Sequence, residues 1–103
     1  METFDLAQLL ARQSASGKPY LEFLRVPALN TGLYVLEAGS TDPQQPHAED
    51  EVYYVIEGQA TFTCDEQEPV PVGAGSVIYV EAGRGHRFVD IEQDLTILVI
   101  FAG

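Results

Sequence analysis

The sequence predicts an all-β domain, an antiparallel barrel or sandwich, preceded by one short helix. Three observations support this fold class: short runs of strand-like alternation, turns rich in glycine and proline between them, and helical periodicity in one segment only. With 103 residues the chain is long enough for one hydrophobic core, and it contains no linker, repeat or low-complexity segment. We therefore expect a single domain over residues 1–103.

The helix is predicted at the N-terminus, where apolar residues recur at helical spacing and small residues at 14–17 end the pattern. Its apolar face comprises Phe4, Leu6, Leu9 and Leu10. The strands that follow are predicted at residues 20–26, 33–38, 51–57, 59–64, 76–80, 86–91 and 95–101. Gly58 separates two of them and predicts a tight hairpin, and residues 92–94 are expected to form a turn.

Two strand segments, VYYVI (52–56) and TILVI (96–100), are almost wholly apolar on both faces. One face of a small antiparallel barrel normally contacts water, so these segments need a further cover on their outer side. The N-terminal elements or a second copy of the chain could provide it, and we expect a homodimer. The aromatic residues expected in the core are Tyr53, Phe62, Tyr79 and Phe88.

The charge of the chain excludes several classes of partner. A net charge of −11 repels phosphate backbones and anionic lipid headgroups, so we expect no nucleic-acid partner and no membrane association. The single cysteine, Cys64, cannot form an internal disulfide, and METFDLAQLL lacks the basic start and long apolar stretch of a secretory signal. We expect a cytoplasmic protein.

The segment PHAEDE, residues 46–51, concentrates one of the two histidines among carboxylates. If the chain is extended here, Gln45, His47, Glu49 and Glu51 share a face. Imidazole and carboxylate together suit a first-row divalent ion, and the other histidine, His86, could complete the set. These residues alone leave the alternative open that the acids form a solvated rim and the histidines have structural roles.

The spacing around the two histidines resembles that of the cupin superfamily. The first cupin motif, G-x5-H-x-H-x3,4-E-x6-G, has the spacing of Gly39, Gln45, His47, Glu51 and Gly58. The second motif, G-x5-P-x-G-x2-H-x3-N, has the spacing of Gly75, Glu81, Gly83, His86 and Asp90. The motifs thus span residues 39–58 and 75–90, and the resemblance implies a jelly-roll barrel, also called a double-stranded β-helix.

The resemblance also implies a metal held by His47, Glu51 and His86. Gln45 takes the place of a histidine of the motif and would be a weaker fourth ligand. The implied ion is a divalent transition metal, Mn, Fe, Ni or Zn. Such a centre leaves positions open for a small organic substrate, on which the protein would act as an oxygenase, isomerase or lyase.

Glu49 and Tyr53 are the candidates for moving protons. Glu49 could instead orient a ligand, substitute for one, or be an ordinary acid on the solvated rim. Two alternatives to a metalloenzyme stay open. The first is a non-catalytic module that binds a small molecule in the barrel. The second, suggested by Gln45, is a barrel that has lost its metal.

Overall fold

The computed structural model describes residues 1–103 and contains one helix and six strands. They are α1 (Leu6–Ser16), β1 (Tyr20–Val26), β2 (Leu29–Leu36), β3 (Glu51–Cys64), β4 (Val70–Gly73), β5 (Val77–Val80) and β6 (His86–Ala102). The strands form one antiparallel sheet in the order β1-β2-β6-β3-β4, and β5 pairs with the first residues of β3. The predicted all-β class with a short N-terminal helix is confirmed.

Helix α1 ends within the predicted residues 14–17, but it begins at Leu6, so Phe4 of the predicted apolar face precedes it. The Asp5 carboxylate caps it by accepting the Ala7 N–H at 2.9 Å, and Gly17 ends it with a positive φ of 70°. Only Leu9 of the predicted apolar face is buried, and Phe4 packs edge-on against Phe23 of β1. With 11 residues, α1 is too short to cross a membrane.

The predicted hairpin at Gly58 is wrong, and so is the predicted turn at residues 92–94, because β3 and β6 run through both positions. Gly58 has a φ of 107°, and a Cβ there would collide with the carbonyl oxygen of Asp94 on the paired strand. The register of β3 against β6 shifts on either side of Gly58. The glycine therefore permits a close approach at a bulge, where the two strands bend without reversing.

Strand β4 was not predicted, because its sequence VPVG contains a proline and a glycine. It lies at an edge of the sheet, where Pro71 removes no central ladder hydrogen bond. Strand β2 also begins earlier than predicted, at Leu29, and ends at Leu36.

The core lies on the inner face of the bent sheet. Tyr53, Phe62 and Phe88 are buried as predicted, with ring centroids 4.9–5.7 Å apart in edge-on pairs. The prediction for Tyr79 is wrong: it is 63% exposed, because β5 turns Ile78 and Val80 inward and Tyr79 outward. The buried core comprises Tyr34, Leu36, Tyr53, Val55, Ala60, Phe62, Val72, Val80, Phe88, Ile91, Leu95, Ile97 and Val99.

Candidate metal centre

Glu51 and His86 meet across the interior of the sheet, far from each other along the ladder. Glu51 is the first residue of β3 and pairs with Phe101, whereas His86 pairs with Cys64 at the other end of β3. Their side chains nevertheless approach to 2.7 Å, between Glu51 Oε1 and His86 Nε2. This contact is possible because the long strands bend and bring the two ends of the sheet together.

His47 completes a cluster of three donors. It lies in the loop before β3, with its Nε2 4.0 Å from Glu51 Oε1. One donor atom from each of His47, Glu51 and His86 lies within 4.8 Å of the others. Two imidazole nitrogens and one carboxylate oxygen form a donor set that suits first-row divalent ions.

The state of the Glu51 carboxylate fits such an ion. The residue is 2% exposed, and the only partners in its ion pairs are the two histidines. Its Oε2 has no hydrogen-bond partner. Because an incompletely paired buried carboxylate is costly, a divalent cation bound here would stabilise Glu51.

His86 is oriented for ligation by its backbone contact. Its Nδ1 lies 2.8 Å from the Arg84 carbonyl oxygen, which can only accept, so Nδ1 carries a proton and Nε2 points at Glu51. Burial lowers the pKa of His86, but hydrogen bonding to Glu51 and Arg84 outweighs it and the net pKa is raised. Without a metal, the histidine therefore tends to hold a second proton at Nε2.

Hydrogen bonds donated by backbone N–H groups of the turn before β6 hold the segments around the two histidines. The Gly83 N–H, in the turn before β6, donates to the His47 carbonyl oxygen at 2.7 Å. Asp50 accepts the Ala82 N–H at 2.8 Å, and Asp65 accepts the Gly85 N–H at 2.9 Å. The loop and the turn therefore hold each other in place beside Glu51.

A second polar network touches His86 and was not found from the sequence. Gln44 Oε1 lies 3.2 Å from His86 Nε2 and accepts a hydrogen bond from the Tyr53 hydroxyl at 2.7 Å. The Tyr53 oxygen is itself 2.9 Å from His86 Nε2. Behind Gln44 lies Asp42, a carboxylate that is 3% exposed and accepts the Tyr34 hydroxyl at 2.6 Å.

The expected common face of Gln45, His47, Glu49 and Glu51 does not form. Residues 41–50 are not a strand, and the chain bends at 48–49, so side chains do not alternate as in a β-strand. Gln45 and Glu49 are exposed. The structure therefore brings together His47, Glu51, His86 and Tyr53 of the predicted site residues, and it places Gln44 rather than Gln45 beside His86.

A cavity of about 550 Å³ opens next to the three donors. Its lining includes Tyr20, Asn30, Tyr34, Gln44, His47 and Tyr53, with Glu49 also on its wall. The Tyr20 hydroxyl is buried and has no hydrogen-bond partner. Burial, with Glu22 and Glu51 nearby, raises the pKa of Tyr20 to about 12, so the phenol stays protonated near neutral pH.

Tyr53 is also a protonated phenol at neutral pH. Burial and the neighbouring Glu51 carboxylate raise its pKa. Its hydroxyl contacts both Gln44 and His86 and lines the cavity. Tyr53 can therefore present a hydroxyl beside the three donors, whereas Glu49, which is exposed on the same cavity, presents a carboxylate.

Comparisons with known proteins agree with the motifs. The chain is 47% identical over 102 residues to the uncharacterized protein SCO3923 of Streptomyces coelicolor, covering 99% of this chain and 96% of that protein. It matches an RmlC-like cupin family protein from Methanocaldococcus jannaschii with a TM-score of 0.73 and 21% identity, over 81% of this chain and 77% of that one. It matches the DMSP lyase DddQ of Ruegeria pomeroyi with a TM-score of 0.74 and 18% identity, over 100% of this chain and 66% of that one.

At such low identities, the two solved structures show the fold alone. The first has a double-stranded β-helix fold, which confirms the architecture that the motifs imply. The Cupin domain family matches residues 32–101, a region that includes both motifs and all three donors. The chain belongs to the cupin family.

Proposed function

We propose that this cupin binds one divalent transition-metal ion through His47, Glu51 and His86 and acts on a small organic molecule in the adjacent cavity. The observation that carries the proposal is the Glu51 carboxylate, buried between two imidazoles with one oxygen unpartnered. A buried acid in this state fits a metal ligand better than a structural ion pair, which would leave no oxygen without a partner.

We infer a reaction by proton transfer, of isomerase or lyase type. A bound Mn, Fe, Ni or Zn ion would supply Lewis acidity at a substrate oxygen. Tyr53, protonated because burial and Glu51 raise its pKa, would donate a hydrogen bond or a proton to the substrate. Glu49, exposed on the cavity wall, would accept a proton. The similarity in fold to the DMSP lyase DddQ is compatible with this class.

A non-catalytic module that binds a small molecule is the second candidate function. The observation that favours it is Tyr20, a residue that lines the cavity and whose buried hydroxyl has no hydrogen-bond partner. A polar group in this state is expected to bind a ligand, whether or not that ligand reacts. Binding without turnover therefore needs the same cavity but not a proton donor such as Tyr53.

The test is metal analysis of protein purified without chelator or affinity nickel, together with mass spectrometry of extracted small molecules. We expect about one ion per chain in the wild type and none in His47→Ala or His86→Ala. Gln67→Ala, at an exposed position outside the cavity, is the control and should keep the ion. A metal-free wild type that holds a small molecule would favour the binding module, and unchanged metal in either histidine variant would contradict the ligand set.

We further propose that the protein forms a homodimer through the outer face of its sheet. The apolar side chains Val52 and Tyr54 of β3 lie beside Tyr79 and Val77 of β5 on that face. Tyr54, Val77 and Tyr79 are exposed in the single chain, which favours contact with an apolar surface. A cytoplasmic location and the lack of nucleic-acid and membrane partners remain predictions from charge and sequence.

A further inference from the structure

We propose that Gln44, and not Gln45, supplies a fourth protein ligand to the metal centre, and that Asp42 orients its amide for this role. The inference rests on the proposed metal site and adds two residues to it. Neither residue occupies a ligand position of the cupin motif, since the motif spacing assigns the fourth ligand to Gln45.

The position of the Gln44 oxygen is that of a ligand atom. It lies 3.2 Å from His86 Nε2, the same nitrogen that Glu51 Oε1 approaches to 2.7 Å. Two ligand atoms of one ion, each bound at about 2.1 Å, lie roughly 3 Å apart. The Gln44 carbonyl oxygen therefore needs little movement to share an ion with His86.

The contact with Asp42 determines which end of the amide faces the donors. The Gln44 Nε2 donates to Asp42 Oδ2 at 2.5 Å, and an ionised carboxylate can only accept. The reversed amide would set its carbonyl oxygen against that carboxylate. The oxygen of Gln44 must therefore point away from Asp42, toward Tyr53 and His86, as a metal ligand requires.

Asp42 is itself held rigidly. It is 3% exposed and accepts hydrogen bonds from the Tyr34 hydroxyl at 2.6 Å and from the Phe88 N–H at 2.9 Å. Phe88 lies on β6, two residues after His86. Strand β6 thus carries the proposed ligand His86 and also holds the Asp42 carboxylate, which orients the proposed ligand Gln44. This arrangement fixes the distance between His86 and Gln44.

Gln45 has none of these contacts. Its side chain is exposed, the loop around it is not extended, and it makes no hydrogen bond to His86, whose partners are Arg84, Gln44 and Tyr53. Adjacent glutamines with the same chemistry therefore differ in burial and partners. This pair provides a matched control for the ligand assignment.

The experiment measures cobalt(II) binding by visible absorption and by competition with a chelator of known affinity. We expect Gln44→Ala to weaken the affinity about 10- to 100-fold and to change the cobalt absorption spectrum, because the coordination changes. Gln45→Ala should leave both unchanged. Asp42→Asn should weaken the affinity about 10-fold, since an asparagine amide can donate to Gln44 and let its oxygen turn away.

Gln44→Leu guards against a folding artefact, because it keeps the side-chain bulk and removes the oxygen. It should reproduce the cobalt spectrum of Gln44→Ala with the circular dichroism of the wild type. A spectrum that changes in Gln45→Ala and not in the Gln44 variants would overturn the inference and leave the proposed metal site intact. Unchanged affinity in all of them would also overturn it, in favour of a site with three protein ligands. A wild type that binds no cobalt would overturn the proposed function and this inference with it.

Discussion

At the start of β3, the inner face of the strand is polar and the outer face is apolar, which is the reverse of the usual arrangement. The inner face carries Glu51 and Tyr53, which are 2% and 1% exposed and contact His86 through polar atoms. The outer face carries Val52, which is half-buried, and Tyr54, which is 42% exposed. In a sheet with one solvated face, apolar side chains normally point inward and polar ones outward.

Each half of this inversion indicates a different kind of contact. Polar groups are kept inside where a ligand can satisfy them, and the inner face borders the cavity and the three donors. Large apolar groups are kept outside where another surface covers them, and Tyr54 has Val77 and Leu98 as its register neighbours. One short segment therefore belongs both to the proposed metal site and to the proposed dimer surface.

The largest effect is expected from Glu51→Gln on the inner face. The neutral amide is a weaker ligand and no longer compensates the charge of the ion, so metal affinity should fall at least about 100-fold. Competition with a chelator measures it. Glu57→Gln is the matched control, since Glu57 is an exposed glutamate of the same strand. An equal loss of metal affinity in both variants would mean that the ion responds only to the overall negative charge of the chain, and that Glu51 is not a specific ligand.

The second effect concerns the outer face. Val77→Glu adds a charge to the surface proposed for the dimer, on a chain whose net charge is already −11. Burying one valine contributes about 1.5–3 kcal/mol, so the dimer should dissociate at least about tenfold more readily. Light scattering across a concentration series measures this. Val26→Glu, at an exposed valine on the opposite edge strand, should not change it. A wild type that is monomeric at every concentration would remove the dimer altogether.

The sequence predicts the fold well, because its signals are local or fixed by spacing. The N-terminal helix, its end at residues 14–17 and strand β1 follow directly from residue types. The motif positions also have a local basis: Asp90, where the motif has asparagine, adopts a positive φ of 48°, which both residue types tolerate. The hairpin predicted at Gly58 was wrong because glycine is favoured both in tight hairpins and in β-bulges, so the residue type alone does not distinguish the two.

The site is predicted less completely, because two of its residues depend on loop conformation. The motif spacing identifies His47, Glu51 and His86, and the structure brings them together. Alternation along an extended chain favours Gln45, but residues 41–50 are irregular and turn Gln44 inward instead. Asp42 could not be found either, since its role depends on Tyr34 and on the backbone of Phe88, which are distant in sequence.

The inner face should also give stability a pH dependence whose sign depends on the metal. Contacts with Glu51 and Arg84 raise the pKa of His86 above its unfolded value of 6.5. In the metal-free protein, the protonated His86 then stabilises the fold fully below about pH 6.5, and this stability is lost as the pH rises through the raised pKa. Bound metal needs a neutral Nε2, so its stabilisation is lost as the pH falls through the same range.

Melting temperatures between about pH 5.5 and 8.5, with excess chelator and with saturating metal, should therefore slope in opposite directions. The sign of each slope is the expected result, and every 1 kcal/mol of stabilisation would appear as a Tm shift of roughly 4–8 °C in a domain of this size. In His86→Ala, both slopes should flatten. Parallel slopes with and without metal would show that protons and the ion do not compete at His86.

The smallest effect is expected from Tyr20→Phe, and it separates ligand binding from stability on the inner face. The Tyr20 hydroxyl is buried without a partner, so removing it should leave the free energy of unfolding unchanged or raise it by about 1 kcal/mol. Urea unfolding measures this. The same variant should lose about fivefold in affinity for whatever small molecule is extracted with the wild type, since one neutral hydrogen bond contributes about 1 kcal/mol. Tyr54→Phe, on the outer face, should leave that affinity unchanged. If Tyr20→Phe instead destabilises the fold by more than about 1 kcal/mol and retains the ligand, the Tyr20 hydroxyl contributes to the packing of the sheet and not to ligand binding. The polar groups that the inner face offers to a ligand would then not extend beyond Tyr53.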